Sequence, residues 1–414
     1  MSYLSRCSKD TGSVSAFSVA VAAGLYTSKV APCAKHFPGH GDTDTDSHLA
    51  LPIINKDISA LQSTELVPFV TLIREHVASV MTAHIALPLI VGDNTPASLS
   101  RKVTTEILRR EMGYTGLVTT DCLEMDAVAA TYGTEKAAVM SLQAGADIAM
   151  ICHTYDRQVG AIKAVYNAVE SGTLPLDEVN ESTVRIWNLK DEFTGTWDDV
   201  TSGAFNNDLT MSLLKTNATL SANAYASSVT WFDPQRTFAS VSREESVTIF
   251  LPQLQRINPA IDDPDEFQRV ASVARKDSIC DGYRALFDEI SGATKGCEMF
   301  VYSPEDTEGV SLQDDVLSAL ATSDKVVFVT RNAYQALWQL TFLRNIVTNF
   351  TPDQIVVVSS CGPYDLSCTE ASGLALSCLC TFEFTKPAME SVSRVILGRA
   401  GAPGSMPVKV AYQL

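Results

Sequence analysis

Apolar and polar positions along the first half of the chain switch repeatedly between a helical period and short continuous apolar runs. Residues 13–26 (SVSAFSVAVAAGLY) carry apolar side chains at helical spacing. The strand VAPCAKHF (30–37) follows. Residues 61–75 (LQSTELVPFVTLIRE) again have a helical period, with Pro68 placed to kink or interrupt it. A buried strand is expected around 78–83, a helix over 103–112 with Gly113 as its C-cap, and the strand GLVTTDCL ending at Asp121. The helix TEKAAVMSLQAG, the strand ADIAMICH and two helices over 157–171 and 177–192 complete the region. Short apolar strands alternating with helices imply parallel strands joined by helical crossovers.

In a (β/α) barrel the chemistry sits at the C-terminal ends of the strands. Those ends carry Lys35 and His36, then His84, then Asp121, then His153. Four consecutive strands thus bring ionisable groups to one edge, which packing alone does not require. Residues 193–244 change character and read as a linker. From 245 a second α/β region begins, with strands expected at 246–251, 298–303, 324–331, 354–360 and 374–382. Strands this apolar are buried on both faces, as in a three-layer α/β/α sandwich. The expected organisation is therefore α/β throughout: a partial TIM-type (β/α) barrel over 1–192, the linker 193–244, and the sandwich over 245–414.

Composition changes this picture little. The net charge of −17 is spread evenly, −9 over residues 1–200 (15 basic, 24 acidic) and −8 over the rest (16 basic, 24 acidic). No basic cluster is present, so nucleic acid is not an expected partner. No apolar run is long enough to span a bilayer, and the polar start MSYLSRCSKDTGS lacks the apolar core of a signal peptide. Ten cysteines, several inside apolar runs, read as buried free thiols without zinc-site spacing. A cytoplasmic location is the resulting expectation. All six histidines lie within residues 36–153, so His-dependent chemistry belongs to the first region.

The densest chemistry is CAKHFPGHGDTDTDSHLALP, residues 33–52. An aspartate two residues from a histidine, as Asp46 is from His48, can fix the ring's tautomer and raise its basicity. The other ring nitrogen then delivers and retrieves a proton. Asp121 could act as a nucleophilic carboxylate. A proton shuttle and a carboxylate suit a two-step displacement at an acetal carbon, with histidine in place of the second carboxylate of a retaining glycosidase. From residue types alone a metal site remains open, since His36, His40, His48, His84 and Asp121 are N and O donors. Asp42 and Asp44 read as turn residues, His40 as shaping its loop or touching a ligand, and His76 as a solvated surface group.

The stretch KHFPGHGDTDTDSHLALP resembles the signature of the β-N-acetylglucosaminidase branch of glycoside hydrolase family 3. SVMTAHIALP, TPASLSRKVTTEILRREMGYTGLVTTDCLEMDAV and QAGADIAMICHT continue the resemblance in order, covering about Gly24 to Lys190. CGPYDL and ILGRAGAPGSMPV are similar to the family's C-terminal domain, less specifically. The resemblance implies Asp121 as nucleophile, His48 as acid/base and Asp46 as its dyad partner. It implies Lys35 and His36 as ligands of the sugar hydroxyls and Met125 as a residue packed near that subsite. It further implies a substrate with a terminal β-linked N-acetylglucosamine and no metal or organic cofactor. The β-glucosidase branch lacks the GDTDTDSH loop. Transfer of the sugar to phosphate instead of water is an alternative that the loop permits.

The family's barrel has eight strands, and this motif normally follows the fifth, whereas only one helix precedes its strand here. Strands five to eight can be placed; strands one to four have no counterpart. Two expectations follow: an N-terminally shortened β-N-acetylglucosaminidase with an incomplete sugar subsite, or a non-catalytic sugar-binding or interaction protein derived from the family. A half barrel exposes sheet edges and an apolar inner face, so self-association is a variant of either.

Overall fold

The computed structural model describes residues 10–43, 50–202, 207–232, 238–254, 279–307, 312–348, 350–365 and 376–408. The chain divides into two compact units, Met1–Ala204 and Phe205–Leu414. Among the described residues no helix is long and apolar enough to cross a membrane.

In the first unit, helix α1 (Thr11–Thr27) begins at Asp10, whose carboxylate accepts from the backbone N–H groups of Gly12 and Ser13. Three parallel strands follow in the order β1 (Cys33–Phe37), β2 (Ser79–Thr82) and β3 (Leu117–Thr120). Phe37, Val80 and Val118 from these strands meet Phe69, Leu72, Ile107 and Leu108 from the covering helices in one buried cluster. Phe37 and Phe69 pack edge to face, with centroids 5.2 Å apart.

The expected single helix over 61–75 is two, α2 (Ile58–Ser63) and α3 (Leu66–Arg74). The break falls at Thr64 rather than Pro68. Pro68 is the third residue of α3, in the first turn, where a missing N–H costs no intrahelical bond. The expected helix at 103–112 is a π-helix, Lys102–Glu111, closed by a bond from Met112 N to Ile107 O, and Gly113 past its end has φ +71°.

The expected fourth strand, ADIAMICH, is reduced to one parallel bridge between Ile148 and Thr119. A short set of backbone bonds remains, with Asp147 N and Ile148 N donating to Val118 O and Thr120 N donating to Ile148 O, and side chains add to it: the Asp147 carboxylate accepts from Val118 N at 2.8 Å, and the Thr120 hydroxyl accepts from Met150 N at 3.0 Å. Asp147 is fully buried and also receives Arg109 Nη2 and Arg185 Nε, each at 2.8 Å. One carboxylate thereby ties the π-helix, the segment after residue 146 and the helix Leu176–Phe193 together. No closed barrel is present among the described residues.

The second unit is the three-layer sandwich. Its six-stranded sheet has the order β4-β9-β8-β7-β5-β6, with β4 (Thr230–Phe232) antiparallel at one edge and β5 (Ser246–Pro252), β6 (Gly296–Tyr302), β7 (Lys325–Thr330), β8 (Ile355–Ser359) and β9 (Ser377–Cys380) parallel. Alternate residues serve opposite layers. Val247, Ile249, Val327, Val329, Val356 and Val358 face the helices Asp281–Ser291 and Lys386–Ile396. Phe250, Val326, Phe328, Ile355 and Val357 face Asp314–Thr322 and Trp338–Val347. The stretch 193–244, read as a linker, instead holds the helices Trp197–Ser202 and Asn207–Ser228 and the strand β4. Its polar, small-residue composition masks that 22-residue helix, which belongs to the second unit.

Candidate active site

The site forms where β1 and β3 end. Register along β1 pairs Lys35 with Met81 but Phe37 with Thr82, so His36 faces no residue of β2, as in a bulge. The Lys35–His36 and Phe37–Pro38 peptides are both cis. Gly39 follows with φ +131°, and a Cβ there would lie 2.7 Å from that of Glu65, so glycine alone fits the turn.

Past β3, Asp121 N donates to Thr82 O at 3.0 Å, fixing the residue against the end of β2. Its Oδ1 accepts from Cys122 N at 2.8 Å, and its Oδ2 lies 3.5 Å from His36 Nε2. The fold thus brings together His36 and Asp121, 85 positions apart in the chain. Burial holds the His36 imidazole down to about 4, against the pull of the Asp121 carboxylate, and the nearby Lys35 and His40 push the same way as burial. His36 Nδ1 is buried with no hydrogen-bond partner among the described residues. A neutral His36 leaves the Asp121 charge uncompensated by a cation on that side.

Met125 is buried and starts the helix Asp126–Tyr132, with its N–H donating to Cys122 O. Lys35 is half-buried on β1. Asp46 and His48, expected as the acid/base dyad, lie with Asp44 and Ser47 outside the described residues. Asp42, just before them, pairs with Lys56 Nζ at 2.7 Å, and Lys56 also reaches Glu65 at 2.5 Å. His40 Nδ1 meets the Thr43 hydroxyl at 2.8 Å, and its ring stands edge-on to His36 with centroids 6.3 Å apart.

His84, considered as a metal donor in the sequence, and His153, at the last of the four strand ends, stand apart from this pair. His84 is fully buried, with Nε2 donating to Cys122 O at 2.9 Å. Its Nδ1 therefore accepts from the Ser98 hydroxyl at 2.7 Å. This bond holds the backbone directly after Asp121. His153 is exposed, and its backbone N–H donates to Glu124.

Glu124 is a residue that sequence reasoning missed. Its carboxylate accepts from Cys152 N at 2.9 Å, His153 N at 2.6 Å and Thr154 N at 3.0 Å. Burial raises its pKa, but the bonds from Thr154, His153 and Cys152 outweigh that and hold it below the ordinary carboxylate value. The only sequence signal was its place in DCLEMDAV, one turn after Asp121.

Residues 5–189 match the Glycosyl hydrolase family 3 N terminal domain. A β-hexosaminidase of Neisseria meningitidis serogroup C is 37% identical over 143 residues, which are 34% of this chain and 39% of that protein. The first unit of the chain is thus similar to the N-terminal domain of glycosyl hydrolase family 3.

Two solved structures of the family cover nearly the whole chain. A fungal multi-domain GH3 β-N-acetylglucosaminidase, which has a GCN5-related glucosamine N-acetyltransferase region, is similar at TM-score 0.82 and 30% identity, over 97% of this chain and 44% of that one. A family 3 β-N-acetylglucosaminidase from Paenibacillus sp. is similar at TM-score 0.78 and 27% identity, over 97% of this chain and 71% of that one. The chain spans about two fifths of the length of the curated β-hexosaminidases it matches.

Proposed function

We propose that this chain is a family 3 retaining glycosidase that releases terminal β-linked N-acetylglucosamine. The observation that carries the reading is Asp121 held at the end of β3 with its Oδ2 towards His36, in a chain similar to β-N-acetylglucosaminidases over most of its length. In the first step Asp121 Oδ2 forms a bond to the anomeric carbon. The glycosidic C–O bond breaks, and His48, oriented by Asp46, gives its proton to the leaving oxygen. In the second step His48 takes a proton from water, water attacks the same carbon, and Asp121 is released. Lys35 and His36 bind the sugar hydroxyls, and Met125 packs beside them.

Turnover of a chromogenic β-N-acetylglucosaminide by the full chain, beside Asp121→Asn, tests this. The variant is expected to lose on the order of a thousandfold or more in kcat with its fold intact. Equal rates in the two proteins, or no turnover by the cooperatively folding native chain, would sink the reading. One observation favours a second reading, a non-catalytic sugar-binding protein: the sheet around Asp121 has three strands and one bridge among the described residues, so fewer walls surround the sugar. Binding of N-acetylglucosamine without turnover is its signature.

A further inference from the structure

At the same edge as Asp121 lies a cluster of different chemistry, of which His153 is exposed and the Glu124 side chain is nearly buried. One donor atom each of Cys122, Glu124 and His153 lies within 4.8 Å of the others. Cys122 and Glu124 come from the turn after β3, and His153 from the end of the neighbouring segment that bridges to β3 at Ile148. We propose that these three side chains form a binding site for a thiophilic divalent cation of the Zn2+ class.

The donor set supports that class. A thiolate with an imidazole and a carboxylate selects Zn2+ or Co2+ over Mg2+ or Ca2+, which prefer oxygen donors only. Three protein donors with one open face match a site that keeps a water or exchangeable ligand as its fourth group. The geometry is also set in advance. Three backbone N–H bonds from residues 152–154 hold the Glu124 carboxylate, and one of them comes from His153 itself. Those bonds, with one from the Thr154 side chain, fix the orientation of the carboxylate beside the Cys122 thiol. Arg157 Nη1, 3.7 Å from Glu124 Oε1, is half exposed and can turn away into solvent. Cys122 Sγ is 4.0 Å from Glu124 Oε2, and on binding its thiol proton passes to solvent. The spacing Cys-x-Glu with a histidine 29 positions after Glu124 follows no familiar zinc pattern, so only the fold reveals the cluster.

The site stands or falls apart from the glycosidase reading, because binding is measured without substrate. Co2+ alone, added to the full native chain, is expected to give the near-ultraviolet thiolate-to-cobalt charge-transfer band. Cys122→Ser should abolish that band, which separates this thiol from the nine others. His153→Ala, at an exposed position, should weaken Co2+ affinity by at least roughly tenfold, with unchanged circular dichroism. The proposal is overturned if the native chain gives no band, or if either variant binds Co2+ as the native chain does.

Discussion

Lowering the pH from neutrality to about 4 tests the electrostatic setting of Asp121 through His36. The ring is largely buried, with 14% of its side chain exposed, and its pKa is held down to about 4 from an ordinary 6.5. Burial is the main cause and exceeds the opposing attraction of Asp121. At about 1.4 kcal/mol for each pH unit, the gap amounts to about 3 kcal/mol. The sign follows from proton counting. Above pH 6.5 neither the folded nor the unfolded chain protonates this ring. Between 6.5 and about 4 the unfolded chain binds the proton and the folded chain does not, so stability falls as pH falls through that window. Below about 4 both bind it, and the loss is complete. Histidine labelled at the ring carbon, observed by NMR in the native chain and in His36→Gln, isolates the signal. That signal is expected to stay neutral down to about pH 5. Between pH 7 and 5 the native chain should also lose about 2 kcal/mol of unfolding free energy relative to His36→Gln. A titration midpoint at 6 or above for the signal missing in the variant would refute the argument that burial outweighs the carboxylate.

Two further substitutions probe how the site is held. Asp147→Ala removes the shared partner of Arg109 and Arg185 and strands Val118 N–H, so a loss of about 3–5 kcal/mol is expected in chemical denaturation of the first unit; a loss under about 1 kcal/mol would show that the clamp contributes little. Ser98→Ala leaves the buried Nδ1 of His84 without this donor, and about 1–3 kcal/mol is expected to go. Because His84 holds Cys122 O, the same variant should lower kcat of any Asp121-dependent turnover more than it raises KM, and an unchanged kcat would disconnect His84 from the site.

The strands and their polar ends were legible because buried parallel strands leave a continuous apolar run in the sequence. This holds for LVTT before Asp121 and for VVFVT and IVVVS in the second unit, where the alternation even separates the two helical layers. What failed was local. Thr64, not Pro68, ends α2, because proline is harmless in a first turn and the break depends on backbone angles that composition does not reveal. The segment after Ala146 has a strand's apolarity but only a short ladder around Ile148, to which the Asp147 and Thr120 side chains add bonds. The helix Asn207–Ser228 carries so many small and polar residues that it resembled a connection.

The site divides along the same line. Residue types foretold that His36 and Asp121 would share an edge, since strand ends in a parallel sheet converge whatever the intervening loops do. They could not foretell which histidine would stand beside the carboxylate. That choice is made by the one-residue slip in β1 at His36 and by the Thr82 carbonyl that receives Asp121 N–H. Conversely His84, equal to His36 as a donor on paper, is withdrawn by Ser98 and the Cys122 carbonyl into a supporting role. Both nitrogens of His84 are spent on protein partners, whereas His36 turns a nitrogen towards Asp121 and keeps its ring neutral through burial. The distinction between a histidine that faces the carboxylate and one that braces the backbone beside it therefore rests on hydrogen-bond partners, which no spacing in the sequence encodes.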